Sequence, residues 1–413
     1  MTRVIPPLLR DRDFAAYWVA NVTRVLAMQM VAVGVGWQVY AVRHHPFDIG
    51  LVGLAEFLPL PLLALPTGQL ADRISRRFVV VLSLAIAIVD AALLLGVTLS
   101  GAHKVWPFVA LAVLSGAALG LGTPSARAMT PELVAASDVP AGMALRTMGN
   151  QSGIVVGPAL GGLLFALRPA AVYVVAIAFF VVAVVGMLAV RPHEAVGRTA
   201  EVPGLAHLFG GVRFLRRSQV VLGAILLDLF AVLFGGAVAL LPIFARDILH
   251  VGPVGLGVLR SAPAVGALIG GAILAHRPTT NRAGPTLLGV VALFGASTIV
   301  FGLSHSFVLS LVALAVTGFA DMVSVNIRST AVALATPDAL RGRVNAVEMV
   351  FISASNQLGA FESGAAAALI GTVPAVVVGG AATIVVAAIW GRLFPPLFRL
   401  DRFDQLKPEA LSS

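Results

Sequence analysis

The chain has 413 residues, of which 59% are hydrophobic and 11% charged, with a formal net charge of +9. An ordinary soluble domain is about 25% charged, so a water-soluble globular fold is excluded, and a basic nucleic-acid-binding surface with it. There is no cysteine, which removes disulfides, thiolate metal ligands and thiol nucleophiles.

Apolar runs long enough to cross a bilayer recur along the whole chain. They lie near 14–42, 47–70, 78–100, 105–127, 141–167, 170–190, 219–245, 252–275, 284–303, 306–327, 344–370 and 373–395. Alternation of period two is absent, and lipid admits only helices or closed barrels, so the pattern predicts a helical bundle. Basic residues alternate with the loops. Arg3, Arg10 and Arg12, then Arg73, Arg76 and Arg77, the stretch Arg191 to Arg217, Arg277 and Arg282, Arg341 and Arg343, and Arg392 to Lys407 fall on one side. The other side holds little beyond Arg43, Lys104, Arg168 and Arg246. The positive-inside bias predicts an inner-membrane protein with both termini cytoplasmic. The opening MTRVIPPLLRDRDF lacks a short apolar core with a cleavage site, so the first run is expected to be an uncleaved span.

In the first run, Arg24 lies well inside the membrane, and in the second so does Glu56. Ionisable side chains there are costly and mark functional positions. The second and third runs are joined by LPTGQLADRISRRFVV, Leu65 to Val80, which concentrates charge in a chain poor in it. Gly68-Gln69-Leu70-Ala71-Asp72-Arg73-Ile74-Ser75-Arg76-Arg77 resembles the G-x-L-A-D-R-x-G-R-R signature of the major facilitator superfamily, with Ser75 where glycine is usual. Serine has poorer access to positive φ, so the loop is expected to turn differently there. The resemblance implies an all-α membrane protein of twelve transmembrane helices in two pseudo-symmetric six-helix halves. It also implies a latch: Asp72 would meet the start of the eleventh helix near Arg343 when the inner gate closes, while Arg73, Arg76 and Arg77 stay at the headgroups.

In the fifth run, Asn150 and Gln151 precede Gly153-Ile154-Val155-Val156-Gly157-Pro158-Ala159-Leu160-Gly161-Gly162. Gly153, Gly157, Pro158, Gly161 and Gly162 match the antiporter motif of proton-coupled exporters of that superfamily, which implies export; close helix packing is the other reading. Residues 192–218 form the only long polar connection. They read as a cytoplasmic linker leading into an interfacial helix over Leu205 to Arg217, or as an unstructured connector.

Beyond the linker the pattern repeats. Thr130 and Asn150 return as Thr336 and Asn356, both 206 residues on, and Leu70 and Tyr40 return as Leu274 and Phe244, both 204 on. The chain therefore divides into 1–191, 192–218 and 219–413. In the second half Asp228 matches Arg24 at an offset of 204, and Arg260 matches Glu56 at the same offset once Pro59 is aligned with Pro263. Arg24, Glu56, Asp228 and Arg260 are candidates for the substrate cavity and for proton coupling, Glu56 and Asp228 foremost; each set also reads as a fixed ion pair holding the bundle. Asp90, Asp321, Glu348 and Glu362 are weaker candidates. Asn150, Gln151, Asn356 and Gln357 read either as ligand-binding amides or as interhelical hydrogen bonds. The eight histidines show no paired spacing, so no metal site is expected.

The stretches RGRVNAVEMVFISASNQLGAFESG, GPALGGLL and LLPIFARDIL resemble the enterobactin-exporter and macrolide-efflux-type branch of the superfamily. The resemblance implies a proton-coupled exporter of an amphipathic organic compound, drug-like or siderophore, working by alternating access. Its partners would be that compound, protons and the bilayer, with no nucleic acid, no cofactor and the proton gradient as energy source. The alternative is a lipid flippase or a non-transporting sensor of the same fold. Enzymatic activity is not expected, because no nucleophile, base and orienting group converge at recognisable spacing.

Overall fold

The structure is a computed structural model and describes residues 7–63, 75–101, 103–191, 213–276 and 282–406. Of the sequence-stretch assignments, Gly68, Asp72 and Arg73 and most of the linker, 192–212, lie outside the described residues.

Among the described residues eleven helices are long and apolar enough to cross a membrane: α1 (Arg12–Arg43), α2 (Pro46–Leu63), α3 (Arg76–Leu99), α4 (Trp106–Met129), α5 (Val139–Leu167), α6 (Pro169–Ala189), α7 (Gln219–Ile248), α8 (Gly252–His276), α9 (Ala283–Leu303), α10 (Phe307–Ala335) and α12 (Thr372–Leu393). Between the last two runs α11 (Asp338–Ile370), at 33 residues. At 1.5 Å per residue it reaches about 50 Å, enough to span, but Asn356, Gln357, Glu362 and its serines and glycines make its middle less apolar than the rest.

Local chemistry sets the helix ends. Asp11 starts α1, its Oδ1 accepting from the amides of Asp13 at 3.0 Å and Phe14 at 2.9 Å. His44 ends it in the left-handed region at φ 54°. Ser75 has φ −58° and its hydroxyl accepts from the Phe78 amide, so the residue that replaces the usual glycine caps α3 and needs no positive φ. Gly252 and Gly371, at φ 66° and 93°, occupy turns before α8 and α12 that a side chain would strain.

The helices form two compact units. The first holds residues 1–44, 55–202 and 252–261; the second holds 45–54, 203–251 and 262–413. Each takes the opening turns of one helix from the other half of the sequence: the start of α8 belongs to the first unit and the start of α2 to the second. Within the first unit α1 packs on α5 and α6, and α3 on α4 and α6. Within the second α7 packs on α11 and α12, and α9 on α10 and α12. Adding six to each helix number of the first set reproduces the second, which is the repeat expressed as packing. One departure is local. Where α1 runs unbroken for 32 residues, α7 breaks at Gly235–Gly236 and ends in a π-helical turn over Phe244–Ile248. A Cβ on Gly236 would meet Ser363 Oγ at 2.6 Å and the Gly359 carbonyl at 2.9 Å, so α11 crosses where α7 breaks.

Glycines let the backbones approach. Gly149, Gly153, Gly157 and Gly161 recur every four residues on the α5 face that meets α1, where added Cβ atoms would strike Val22, Val25, Gln29 and Met30 at 2.6–2.9 Å. Gly162 points elsewhere, onto the Pro253 carbonyl at the start of α8, and Gly257 of α8 abuts the Pro158 carbonyl. Ser261 Oγ donates to the Val155 carbonyl at 2.6 Å beside them. The second unit mirrors this. Gly364 of α11 abuts Gly50 of α2, a Cβ on Gly53 would meet Ala360 at 2.9 Å, and Phe47 meets Phe361 edge-on with ring centroids 5.9 Å apart.

A Cβ on Gly318 of α10 would collide with the Pro263 carbonyl of α8, whereas one on Gly289 of α9 meets nothing within 4 Å. Gly318→Ala should lower the thermal midpoint of the detergent-solubilised protein, since overpacking costs about 1–3 kcal/mol. Gly289→Ala should not lower it. Equal midpoints for the two variants would show that the α8–α10 approach is not limiting.

Candidate functional site

Polar side chains inside the bundle collect into three clusters, each within one unit. The first lies where α1 faces α5. Trp18 Nε1 donates to the Leu145 carbonyl at 2.8 Å, and one turn on, Asn21 Nδ2 donates to Asn150 Oδ1 at 2.6 Å. Hydrogen bonds of this kind between membrane helices contribute about 0.6 kcal/mol each, so the amide pair fixes register more than it supplies stability. Arg24 is buried at 7% exposure and its Nη2 reaches Asn21 Oδ1 at 3.4 Å. Tyr17 donates to the Ala126 carbonyl at 2.7 Å and lies 2.9 Å from Thr130 Oγ1.

The second cluster joins α2, α3, α4 and the start of α8. Asp90 is buried, and its Oδ2 accepts from Ser115 Oγ at 2.5 Å, while Oδ1 has no hydrogen-bond partner. Glu56 is the charged neighbour of both Asp90 and Arg260. Glu56 therefore stands between a second carboxyl group and a guanidinium. Gly116 makes this possible, because any Cβ there would strike the Glu56 backbone and push α2 off α4. A neutral chain runs alongside: Tyr173 donates to Gln38 Oε1 at 2.5 Å, Gln38 Nε2 to Thr98 Oγ1 at 3.0 Å, and Thr98 to the Leu94 carbonyl at 2.8 Å.

The third cluster repeats the second in composition. Arg328 of α10 pairs through Nη2 with Asp228 Oδ1 of α7 at 2.8 Å, side chains 6% and 11% exposed, and donates through Nε to Ser324 Oγ at 3.1 Å. Asp321, two turns earlier on α10, has Arg328 and Asp228 as its charged neighbours. Here two carboxyl groups share one guanidinium.

Sequence-derived candidates thus divide. Glu56 and Arg260 come together as aligned. Arg24 and Asp228, matched in the repeat, have different surroundings, an amide for one and Arg328 for the other. Asn150 bridges helices, whereas Asn356 is exposed and donates to the Ile352 carbonyl of its own helix at 2.8 Å; Gln151 and Gln357 are half-buried. Of the loop arginines, Arg76 Nη1 donates to the Ala128 carbonyl at 2.7 Å and pairs with Glu132 at 3.0 Å, and Arg77 donates to the Leu188 carbonyl at 2.6 Å. They tie the start of α3 to the ends of α4 and α6. Arg343 lies in the first turns of α11, half-buried. Arg328, Arg146 and Asn21 were not singled out from sequence. The available signals were helical: Arg328 stands seven residues after Asp321, and Arg146 four before Asn150. Among the described residues no group of three or more His, Asp or Glu can hold a metal ion.

The chain matches the family described as transmembrane secretion effector over residues 4–410. The enterobactin exporters EntS of Shigella boydii serotype 18 and of Escherichia coli O139:H28 are each 26% identical to it over 407 residues, covering 97% of this chain and 95% of theirs. Among solved structures, a bacterial homologue of the human lysosomal transporter Spinster, inward-facing and unoccupied, superposes with a TM-score of 0.70 at 15% identity over 95% of this chain and 97% of that one. A POT family transporter in complex with a thioalcohol-conjugated peptide gives 0.73 at 14% identity over 96% and 99%. At such identities these structures speak for the fold, and the full-length family match for the lineage: the chain belongs to the transmembrane secretion effector family and is a major facilitator superfamily transporter, not an enzyme.

Proposed function

We propose that this transporter is a secondary active exporter of the inner membrane, with both termini cytoplasmic, in which inward proton movement drives efflux of an amphipathic organic compound of siderophore-like or drug-like type. The halves 1–191 and 219–413, joined by 192–218, would rock in alternating access. The observation that supports the coupling is the placement of Glu56 between Arg260 on one side and a second carboxyl group, Asp90, on the other. Like charges in a low-dielectric site resist joint ionisation, so one arginine balances one carboxylate and the second carboxyl can take up and release a proton without stranding the cation. Export as the direction is supported by the Gly157-Pro158 motif and by full-length similarity to proteins named as enterobactin exporters. Asp228, Asp321 and Arg328 form a similar set, but the close Asp228–Arg328 bond suits a fixed strut better than a shuttle.

In proteoliposomes, enterobactin release should accelerate when the receiving side is made acid. Release that ignores the pH gradient in the wild-type protein would reject proton coupling, and no protein-dependent release of enterobactin or of ethidium would reject export of either class.

Asp90→Asn should abolish the response to the gradient while leaving the thermal midpoint within a few degrees of wild type, because it relieves like charge beside Glu56; Glu56→Gln should abolish it too but lower the midpoint, because it removes the carboxylate beside Arg260. Undiminished gradient-driven release by both variants would remove this cluster from the mechanism.

The strut predicts an asymmetry in stability. Arg328→Leu leaves two buried carboxylates without a cation and should destabilise by about 3–5 kcal/mol. Asp228→Asn leaves Arg328 with Asp321 and should cost clearly less. Equal losses in chemical unfolding would mean that Asp321 does not share the arginine.

A further inference from the structure

Buried guanidinium groups in a membrane protein normally meet a carboxylate, as Arg260 and Arg328 do. Arg24 does not. Its hydrogen bonds go to the Asn21 amide oxygen and the Met28 sulfur, each at 3.4 Å, and its Nε is buried with no partner. Among the described residues no acidic group pairs with it. Its titratable neighbours are the Tyr17 hydroxyl and a second cation, Arg146 of α5, whose Nε is likewise buried and without a partner. Arg146 in turn has Arg127, at the end of α4, as its like-charged neighbour. From the end of the first unit where α1 and α5 begin and α4 stops, the three arginines grade inward: Arg127 exposed, Arg146 half-buried, Arg24 buried and about three turns into α1. Asn21 and Asn150 lie one turn from Arg24 and Arg146, so two guanidinium groups and an amide pair share the α1–α5 face.

A buried guanidinium with an unpartnered Nε is costly in a low-dielectric site unless an anion offsets it, and a second such group on the same face adds to that cost. We infer that this face is a binding site for an organic anion, whose carboxylate or comparable oxyanion takes the free donors of Arg24 and Arg146 while its apolar part lies along the bundle. Guanidinium suits such a group because its planar fork holds two oxygens at once. Asn21 and Asn150 position the pair by locking α1 to α5. The inference rests on the export reading only in taking the bound anion to be the transported compound, and it narrows that compound to one carrying negative charge.

Binding to the detergent-purified full-length protein tests the site without any gradient. The probes are 2-naphthoate and its neutral counterpart 2-naphthamide, read by calorimetry and by the shift in thermal midpoint. Naphthoate should bind at least about tenfold more tightly than naphthamide, and Arg24→Gln and Arg146→Gln should each lose about that factor, as expected when a charge-assisted hydrogen bond is removed. Asn150→Asp places a carboxylate beside both cations while keeping the oxygen that accepts from Asn21. It should melt above wild type and no longer bind naphthoate. Should Arg24→Gln fail to fold, Arg146→Gln and Asn150→Asp decide the matter. Equal affinity for the two probes, no naphthoate binding, full binding by Arg146→Gln, or a less stable Asn150→Asp would each overturn the inference. Naphthoate binding without gradient-driven release of any compound would leave the anion site standing and remove the export reading. Gradient-driven release that persists in Arg24→Gln and Arg146→Gln, with no naphthoate bound, would do the reverse.

Discussion

Helices already in a bilayer gain little hydrophobic free energy by meeting, because lipid tails are as apolar as leucine; association depends on how closely their surfaces fit. That constraint organises this protein. On α5 a glycine every fourth residue lets α1 lie against the backbone, and the register so created brings Asn21 to Asn150 and Arg24 towards Arg146. On α4 the missing side chain at Gly116 admits the Glu56 backbone and carries that carboxyl to Asp90. Polar groups meet in the bundle because glycines removed the atoms that would have kept their helices apart.

The same constraint explains why charge is so unevenly used. A single ionised group at membrane depth costs about 3 kcal/mol, so each must have a reason to stay. In both units an arginine goes with two acids: Arg260 neighbours Glu56, which neighbours Asp90, and Arg328 is shared by Asp228 and Asp321. The sets are not equivalent. Arg328 holds Asp228 in a short bond and its own helix through Ser324, whereas Asp90 leans on a serine and leaves one oxygen unsatisfied. One geometry resists rearrangement, and the other leaves a carboxylate oxygen open for the proton exchange proposed above. Arg24 and Arg146 form a third case, two cations with amides instead of acids, and the missing negative charge must come from outside the described chain.

Most of the architecture was legible in the residues. The apolar runs follow from what a bilayer demands of any chain that crosses it; among the described residues eleven of the twelve are helices apolar enough to span, and the repeat returns as matched helix packing. The structure places Glu56 and Arg260, aligned in the repeat, near one another, because the start of α8 belongs to the first unit, which also holds Glu56. Alignment did less well for Arg24 and Asp228. A repeat preserves depth along a helix, but the partner at that depth comes from neighbouring helices, and there the halves have diverged: asparagines face Arg24, and Arg328 faces Asp228. Likewise Ser75 read as a glycine position altered, yet it is a helix cap, since φ at −58° leaves its hydroxyl free to take the Phe78 amide.

What the sequence by itself determined is therefore the membrane class, the number and rough ends of the spans, the duplication and the family. These depend on composition, period and charge bias, which are properties of segments. Only the tertiary structure decided that Asp90 joins Glu56, that Arg328 takes Asp228, and that Arg24 and Arg146 meet without an acid between them. Those outcomes depend on the rotation of each helix about its own axis and on which glycine admits which neighbour. Rotation is set by side chains packed from several helices at once, so no single stretch of sequence contains it.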